Sequence, residues 1–329
     1  MRRFAYHRAT SVADALAAVR DRPDAAFLAG GTNLVDHLRL GVAAPELVVD
    51  ITRLPLGETT ELPDGTVRVG ALVPNSDLAA DPLIRGRYPV LARALLAGAS
   101  GQVRNAATLG GNLLQRTRCG YFRDPAMPCA KREPGGGCAA IGGPGRDQAL
   151  LGTSAHCVAV HPSDAALALV VADAVVRVAG ADGERTVPVT DFHREPGDRP
   201  DRDTVLAPGE LVTAVDLPAP PPGARSGYRK VRERASYAFA LVSVAAMVAV
   251  RRGRVTHARV ALGGVATVPW RARRAERVLR DAPATAETFA AAADAELAAA
   301  RPNDDNAFKV PMARNTLMSV LRDLTGEGR

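Results

Sequence analysis

Lysine is nearly missing from this chain: of its 42 basic residues only Lys131, Lys230 and Lys309 are lysines, so each calls for a reason of its own. Aromatic residues are also scarce, at 4%, which leaves few rings for bases to stack on and argues against single-strand nucleic-acid binding. The charge excess is modest, +7 from 42 Lys and Arg against 35 Asp and Glu, and is spread along the length, so no dedicated nucleic-acid binder is implied. No apolar run reaches the roughly 20 residues that span a bilayer. The longest, 165–178 and 235–250, are broken by Asp173 and by Ser236 and Ser243. The N-terminal MRRFAYHRAT lacks the apolar stretch of an export signal, so neither a membrane span nor an address of its own is expected. Cysteine is confined as well: Cys119, Cys129, Cys138 and Cys157 lie in one stretch and nowhere else.

What remains is a composition that folds, 47% hydrophobic and 23% charged over 329 residues, enough for about two domains. Over 3–51 the pattern reads as β-α-β-α-β. Ser11 caps a helix with its apolar face on Val12, Ala15, Leu16 and Val19, a strand at Ala25–Ala29 ends in Gly30-Gly31-Thr32-Asn33, and Leu34–Leu40 and Leu47–Ile51 follow as helix and strand. Period two around Pro63-Asp64-Gly65 reads as a hairpin, and 91–96 as a helix. Regularity vanishes from Gln115 to about Val158, where twelve of the 39 residues from Cys119 to Cys157 are Gly or Pro. A loop of that length is functional, or is held by something other than a hydrophobic core. A helix at Asp164–Ala172, a strand at Ala174–Ala179, a turn at Asp182-Gly183 and a strand at Leu211–Leu217 come next, before a PAPPPG linker at 218–223. Beyond it, strands near 228–232, 240–250 and 255–265 and helices at 272–280, 285–300 and 307–324 form a second, α+β domain with a three-stranded antiparallel sheet.

Three readings of the cysteines compete. Disulfides need an oxidising compartment. Four unrelated buried thiols would be scattered through the regular elements. Ligation of a metal or cluster explains both the confinement and the missing core. Intervals of nine, eight and eighteen residues argue against a zinc ribbon, whose pairs are close, without proving iron and sulfur. Arg116, Arg118, Arg123, Lys131 and Arg132 make the neighbourhood net basic, which offsets thiolate charge or is simply a solvated face of an Arg-rich protein. The Gly-Gly pairs in LAGGTN (28–33) and TLGGN (108–112) suit a nucleotide pyrophosphate, since glycines let backbone amides approach an anion, yet neither matches the G-x-G-x-x-G fingerprint or the P-loop. Each pair alone is more often a turn.

Taken together, FLAGGTNL (27–34), NAATLGGNLLQRTRC (105–119), HPSDAALAL (161–169) and YRKVRERASYAFALVSVAA (228–246) resemble the FAD-binding medium subunit of the molybdenum hydroxylases, the xanthine dehydrogenase, carbon monoxide dehydrogenase and aldehyde oxidoreductase group. The four-cysteine insertion is similar to the 4Fe–4S variant of PaoABC-type periplasmic aldehyde oxidoreductases. The resemblance spans essentially the whole chain. It implies an α+β fold with a two-part PCMH-type FAD-binding domain over 1–222, an iron–sulfur insertion at 115–160, and a C-terminal domain of the CO-dehydrogenase-flavoprotein kind over 223–329.

Carried over by position, Phe27, Leu28, Ala29, Gly30, Gly31, Thr32, Asn33 and Leu34 would surround the pyrophosphate of FAD. Thr108, Gly111 and Asn112 would lie beside the flavin, Asp164 would hold the ribityl and adenosine side, Val212 would give a backbone contact near the adenine, and Lys230 would be a basic partner. Asp164 also suits a plain helix N-terminus. By the same resemblance Cys119, Cys129, Cys138 and Cys157 would hold a 4Fe–4S cluster, as a relay or a structural staple. A large molybdopterin-binding subunit and a small 2Fe–2S subunit are the implied partners, with an external electron acceptor that no motif identifies. The implied location is periplasmic by co-export with a signal-bearing partner, or else cytoplasmic. A metal-stapled, non-catalytic binding module is the alternative from another class, and a nucleic-acid-associated iron–sulfur protein a third.

Overall fold

The computed structural model describes residues 1–326. Its first unit is β1 (Ala5–Arg8), α1 (Val12–Val19), β2 (Ala25–Leu28), α2 (Leu34–Leu40) and β3 (Leu47–Asp50), with a parallel sheet ordered β1-β3-β2. The central strand LVVD is buried at every position, as a strand covered on both faces must be. Ser11 accepts the Asp14 amide at 3.0 Å, so the expected cap forms; the Asp14 carboxylate reaches back to Thr10 rather than to Ser11.

The hairpin β4 (Thr59–Glu61) and β5 (Val67–Gly70) opens a second sheet, followed by the short helices α3 (Asn75–Ala80), α4 (Pro82–Arg87), α5 (Pro89–Ala97), α6 (Gly101–Ala106), α7 (Leu109–Leu113) and α8 (Gly120–Arg123). After the long irregular segment come α9 (Asp164–Val171), β6 (Val175–Gly180), β7 (Gly183–Pro188), α10 (Val189–Phe192) and β8 (Leu211–Leu217), giving a five-stranded antiparallel sheet ordered β4-β5-β8-β6-β7. α9 packs against α5, α7 and α10 and against the C-terminal sheet, and is buried from Ala165 to Val171. The Tyr88 hydroxyl, fully buried, donates to the Leu217 and Pro218 carbonyls, each at 2.9 Å, and fixes the start of the 218–223 linker.

The C-terminal part contains β9 (Arg225–Val231), β10 (Val242–Arg251), β11 (Arg254–Gly263), β12 (Trp270–Arg271), α11 (Arg273–Leu279), α12 (Ala286–Leu297) and α13 (Lys309–Thr325). Its antiparallel sheet has four strands, β12-β11-β10-β9, correcting the expectation of three. The added strand is two residues long and shows no period of its own. β7 also escapes the sequence reading, because GERTVP exposes five of its six residues as an edge strand. The β10–β11 turn puts Arg252 (φ 52°) and Gly253 (φ 73°) in the left-handed region that tight hairpins need.

The segment after Gln115 is irregular apart from the single turn of α8, as expected, but it has apolar anchors. Phe122, Leu150 and Leu151 are fully buried, and the last two join the core under the C-terminal sheet, with both amides donating to the Val265 carbonyl. Arg132 serves the Tyr121 and Phe122 carbonyls at 2.6 and 2.7 Å. Asp203 accepts from Arg116 at 2.6 Å and from Lys131 at 2.5 Å, latching the insertion to the loop before β8. No helix among the described residues is long and apolar enough to cross a membrane.

Candidate cofactor site

Four chain segments that are distant in sequence meet around a cavity of about 780 Å³. The first is the loop between β2 and α2. A Cβ on Gly30 would stand 1.7 Å from the Ala106 carbonyl oxygen, so only glycine lets this loop and the end of α6 approach. Gly31 has φ +71°, a conformation that also favours glycine. Phe27 and Ala29 pack on the core of the β-α-β-α-β unit, while Thr32 and Asn33 reach the cavity. The Asn33 Oδ1 accepts the Arg116 amide at 3.1 Å, and its Nδ2 is buried without a partner among the described residues.

The second segment is α7, capped by Thr108, whose Oγ1 accepts the Gly111 amide at 3.2 Å. Gly111 and Asn112 line the cavity, and the Asn112 Oδ1 accepts from Gln115 at 2.8 Å and from the Ser163 hydroxyl at 2.6 Å. Ser163 in turn caps α9, which begins with Asp164. The Asp164 carboxylate accepts the Tyr228 hydroxyl at 2.5 Å on one oxygen and the Lys230 ammonium at 2.7 Å on the other. The side chains of the pair Lys230–Asp164 are only 4% and 10% exposed, and Lys230 also donates to the Ala97 carbonyl at 3.2 Å. Burial first, then the Asp164 charge, push the Tyr228 hydroxyl well above its ordinary pKa, which keeps its proton available to donate.

Of the residues expected at the cofactor, Thr32, Asn33, Gly111, Asn112, Asp164 and Lys230 line this cavity together, with Thr108 just behind as a cap. Phe27, Leu28, Ala29, Gly30 and Leu34 do not line it, and Gly31 lines a recess beside it. Val212 lies in β8 opposite Val178, with its side chain in the main core. Tyr228 was not anticipated. Its signal was legible in retrospect, since alternation along β9 puts residues 228 and 230 on one face.

A second cavity of about 520 Å³ adjoins the first, sharing Arg118, Asp164, Glu233 and Phe239, and extends to Cys119 and His161. Asn33, Asn75 and Arg118 leave polar atoms buried at the larger cavity without protein partners among the described residues. Native interiors seldom tolerate such groups, and a polar ligand would satisfy them.

The wall behind α7 holds His161 edge-to-face with His193, with ring centroids 4.5 Å apart and His193 Nε2 2.9 Å from the Leu113 carbonyl. Burial pulls His193 down to about 4 and, with the nearby His193 and Lys131, pulls His161 well below its usual value. Burial and the charges of Arg116 and Arg118 bring His37 to about 4 as well. These rings stay neutral in the folded chain and protonate on unfolding near pH 6.5. Stability is therefore complete above about pH 6.5 and falls as pH drops toward 4. Urea unfolding at pH 7 and 5.5 is expected to show this loss, and His193→Phe to lessen it; an identical pH slope in the variant would count against the assignment.

The four cysteines are unpaired thiols. Cys129 and Cys138 face each other across an isolated antiparallel bridge, Cys129 and Cys157 are buried, and Cys119 lies 3.5 Å from the Gln148 amide nitrogen. Burial pushes Cys157 up to about 11, opposed by Lys131, and raises Cys138. Among the described residues, no three Cys, His, Asp or Glu side chains converge closely enough to hold a single metal ion.

Comparison with known proteins matches this construction. The family model for the FAD binding domain in molybdopterin dehydrogenase covers residues 2–220, and that for the CO dehydrogenase flavoprotein C-terminal domain covers 226–324. The chain belongs to the FAD-binding medium subunits of the molybdenum hydroxylases, and is an oxidoreductase flavoprotein subunit. Its relatives include the aldehyde oxidoreductase FAD-binding subunit PaoB of Escherichia coli (strain K12), 48% identical over 324 residues covering 98% of each chain. The carbon monoxide dehydrogenase medium chain of Hydrogenophaga pseudoflava is 30% identical over 304 residues, 92% of this chain and 89% of that one. A solved carbon monoxide dehydrogenase from the same organism, lacking the Mo-pyranopterin moiety, superposes with a TM-score of 0.78 at 28% identity over 99% and 98% of the two chains.

Proposed function

We propose that the chain is the FAD- and 4Fe–4S-containing electron-transfer subunit of a molybdenum-dependent aldehyde oxidoreductase. In this reading a large molybdopterin subunit oxidises the aldehyde, a small 2Fe–2S subunit delivers electrons, and this subunit passes them to an external acceptor. The observation that carries it is the cavity shared by Thr32, Asn33, Asn112, Asp164 and Lys230, in a chain alike end to end with PaoB. Bound FAD supplies a centre that accepts electrons singly and releases them as a pair. The protein's part is placement. Thr32 and Asn33 line the cavity just before α2, Asn112 and Ser163 tie α7 to the start of α9, and Tyr228 and Lys230 fix the orientation of the Asp164 carboxylate. A purified chain is expected to show flavin absorbance near stoichiometric with protein; a colourless, flavin-free assembly would refute the reading.

The iron–sulfur part rests on the thiols. Four unpaired sulfurs confined to one irregular segment, in a net basic surrounding, suit an inorganic core held by thiolates. Cys119 also lines the second cavity, so one of the thiols that would hold the cluster stands at the cavity adjoining the one that would hold FAD. Replacing Cys129 by Ser is expected to abolish the cluster's visible absorbance and its iron and sulfide while most FAD stays bound. Equal loss of FAD would instead make the insertion a scaffold of the flavin site. We assign the assembly to the periplasm through co-export with a signal-bearing partner, with the cytoplasm as the alternative that cell fractionation tests.

A further inference from the structure

Each carboxylate lining the larger cavity has a cation against it, and one half-buried cation among the described residues, Arg118, only shares a carboxylate that another cation holds more closely. Asp36 takes both terminal nitrogens of Arg123, at 2.5 and 3.3 Å; Asp164 takes Lys230 at 2.7 Å; and Glu233 takes Arg146 at 2.7 Å. Arg104 and Arg234 are spent on backbone carbonyls, at Gly98 and Tyr237. Arg118 has only a lateral 3.3 Å contact to the already engaged Asp36. Its side chain is 22% exposed, its Nε is buried without a partner among the described residues, and its guanidinium lies 5.3 Å from the centre of the Phe239 ring. Among the described residues it is also the only cation that lines both cavities, at the place where they join. A guanidinium desolvated to this degree and under-compensated is costly unless an anionic group completes its fork.

We propose that Arg118 is a cofactor-binding residue whose fork takes an electron-rich oxygen edge of the bound dinucleotide. Resting on the FAD reading above, this leaves two sources of the same chemistry, the diphosphate and the pyrimidine carbonyl edge of the isoalloxazine. Cys119 follows directly in the chain, so Arg118 is also the residue that joins the flavin cavity to the thiol-bearing insertion.

The test uses the full chain in its purified assembly, stripped of flavin and titrated with FAD, for wild type, R118M and R118K. R118M is expected to weaken FAD binding about tenfold or more, as loss of a buried charge-assisted contact does, and R118K to recover part of it. Competition by ADP separates the sources. A parallel loss of ADP affinity places the contact on the diphosphate. Unchanged ADP competition with a lowered midpoint potential of the bound FAD places it on the isoalloxazine, because a nearby cation favours the reduced form. R118M with FAD affinity within about twofold of wild type and an unchanged potential would overturn the proposal. If R118M fails to fold, R118Q enters the same titrations. Wild type that takes up no FAD would instead overturn the FAD reading itself.

Discussion

Gly30→Ala is expected to yield a chain that retains almost no flavin and unfolds at markedly lower temperature. The added Cβ would fall 1.7 Å from the Ala106 oxygen and 2.6 Å from its carbonyl carbon, so the obstruction is backbone and has no rotamer through which to yield. Nor can the 106–108 stretch withdraw cheaply. The Ala107 carbonyl accepts the Asn75 amide at 2.8 Å, the Leu109 amide donates to Val73 at 3.0 Å, and Thr108 caps α7. Displacing it moves Gly111 and Asn112 with it, so stability and the cavity wall are lost together. Overpacking typically costs about 1–3 kcal/mol, and a backbone–backbone collision belongs at or beyond the upper end. Gly101→Ala, where an added Cβ meets nothing within 4 Å, is the control that should leave both properties unchanged. Full flavin stoichiometry in Gly30→Ala, by absorbance after gel filtration, would contradict the close approach.

Lys230→Ala is expected to have the second large effect. It removes one member of an ion pair whose side chains are 4% and 10% exposed and leaves the Asp164 carboxylate with the Tyr228 hydroxyl as its remaining side-chain partner. Stranding a buried charge costs about 3–5 kcal/mol, against near neutrality when both partners are replaced by apolar or neutral groups. Two measurements should therefore separate. Denaturant unfolding of Lys230→Ala shows the stability loss, and the double variant Asp164→Asn, Lys230→Met regains much of it. FAD retention falls in both, since each lacks the oriented carboxylate and the cation. Unchanged flavin stoichiometry in the single variant would remove Lys230 from the site.

The rarity of lysine pointed toward this position before any coordinates did. In a chain that otherwise uses arginine, all three lysines are largely buried and each donates to a backbone carbonyl: Lys131 to Pro200, Lys230 to Ala97, and Lys309 to Gln148 and Gly264. A compact ammonium fits where a planar guanidinium does not.

Local chemistry in the sequence determined the elements that carry their own period or cap: the β-α-β-α-β start, the start of α9 at Asp164, the hairpin at Pro63-Asp64-Gly65 and the long break in regularity between the glycine motif and α9. It also marked the two Gly-Gly segments, although in each pair one glycine serves packing: Gly30 against Ala106, and Gly110 against Ala71. Tertiary structure alone decided the rest, because those features are relations between residues far apart in the chain. The contact between Gly30 and Ala106, the closure of Tyr228 and Lys230 on Asp164, the burial of Leu150 and Leu151 beneath the C-terminal sheet, and the weakly paired Arg118 each depend on which surfaces meet. A single strand or helix shows its own periodicity, but the partner that satisfies a charge or fills a Cβ position appears only once the segments have packed.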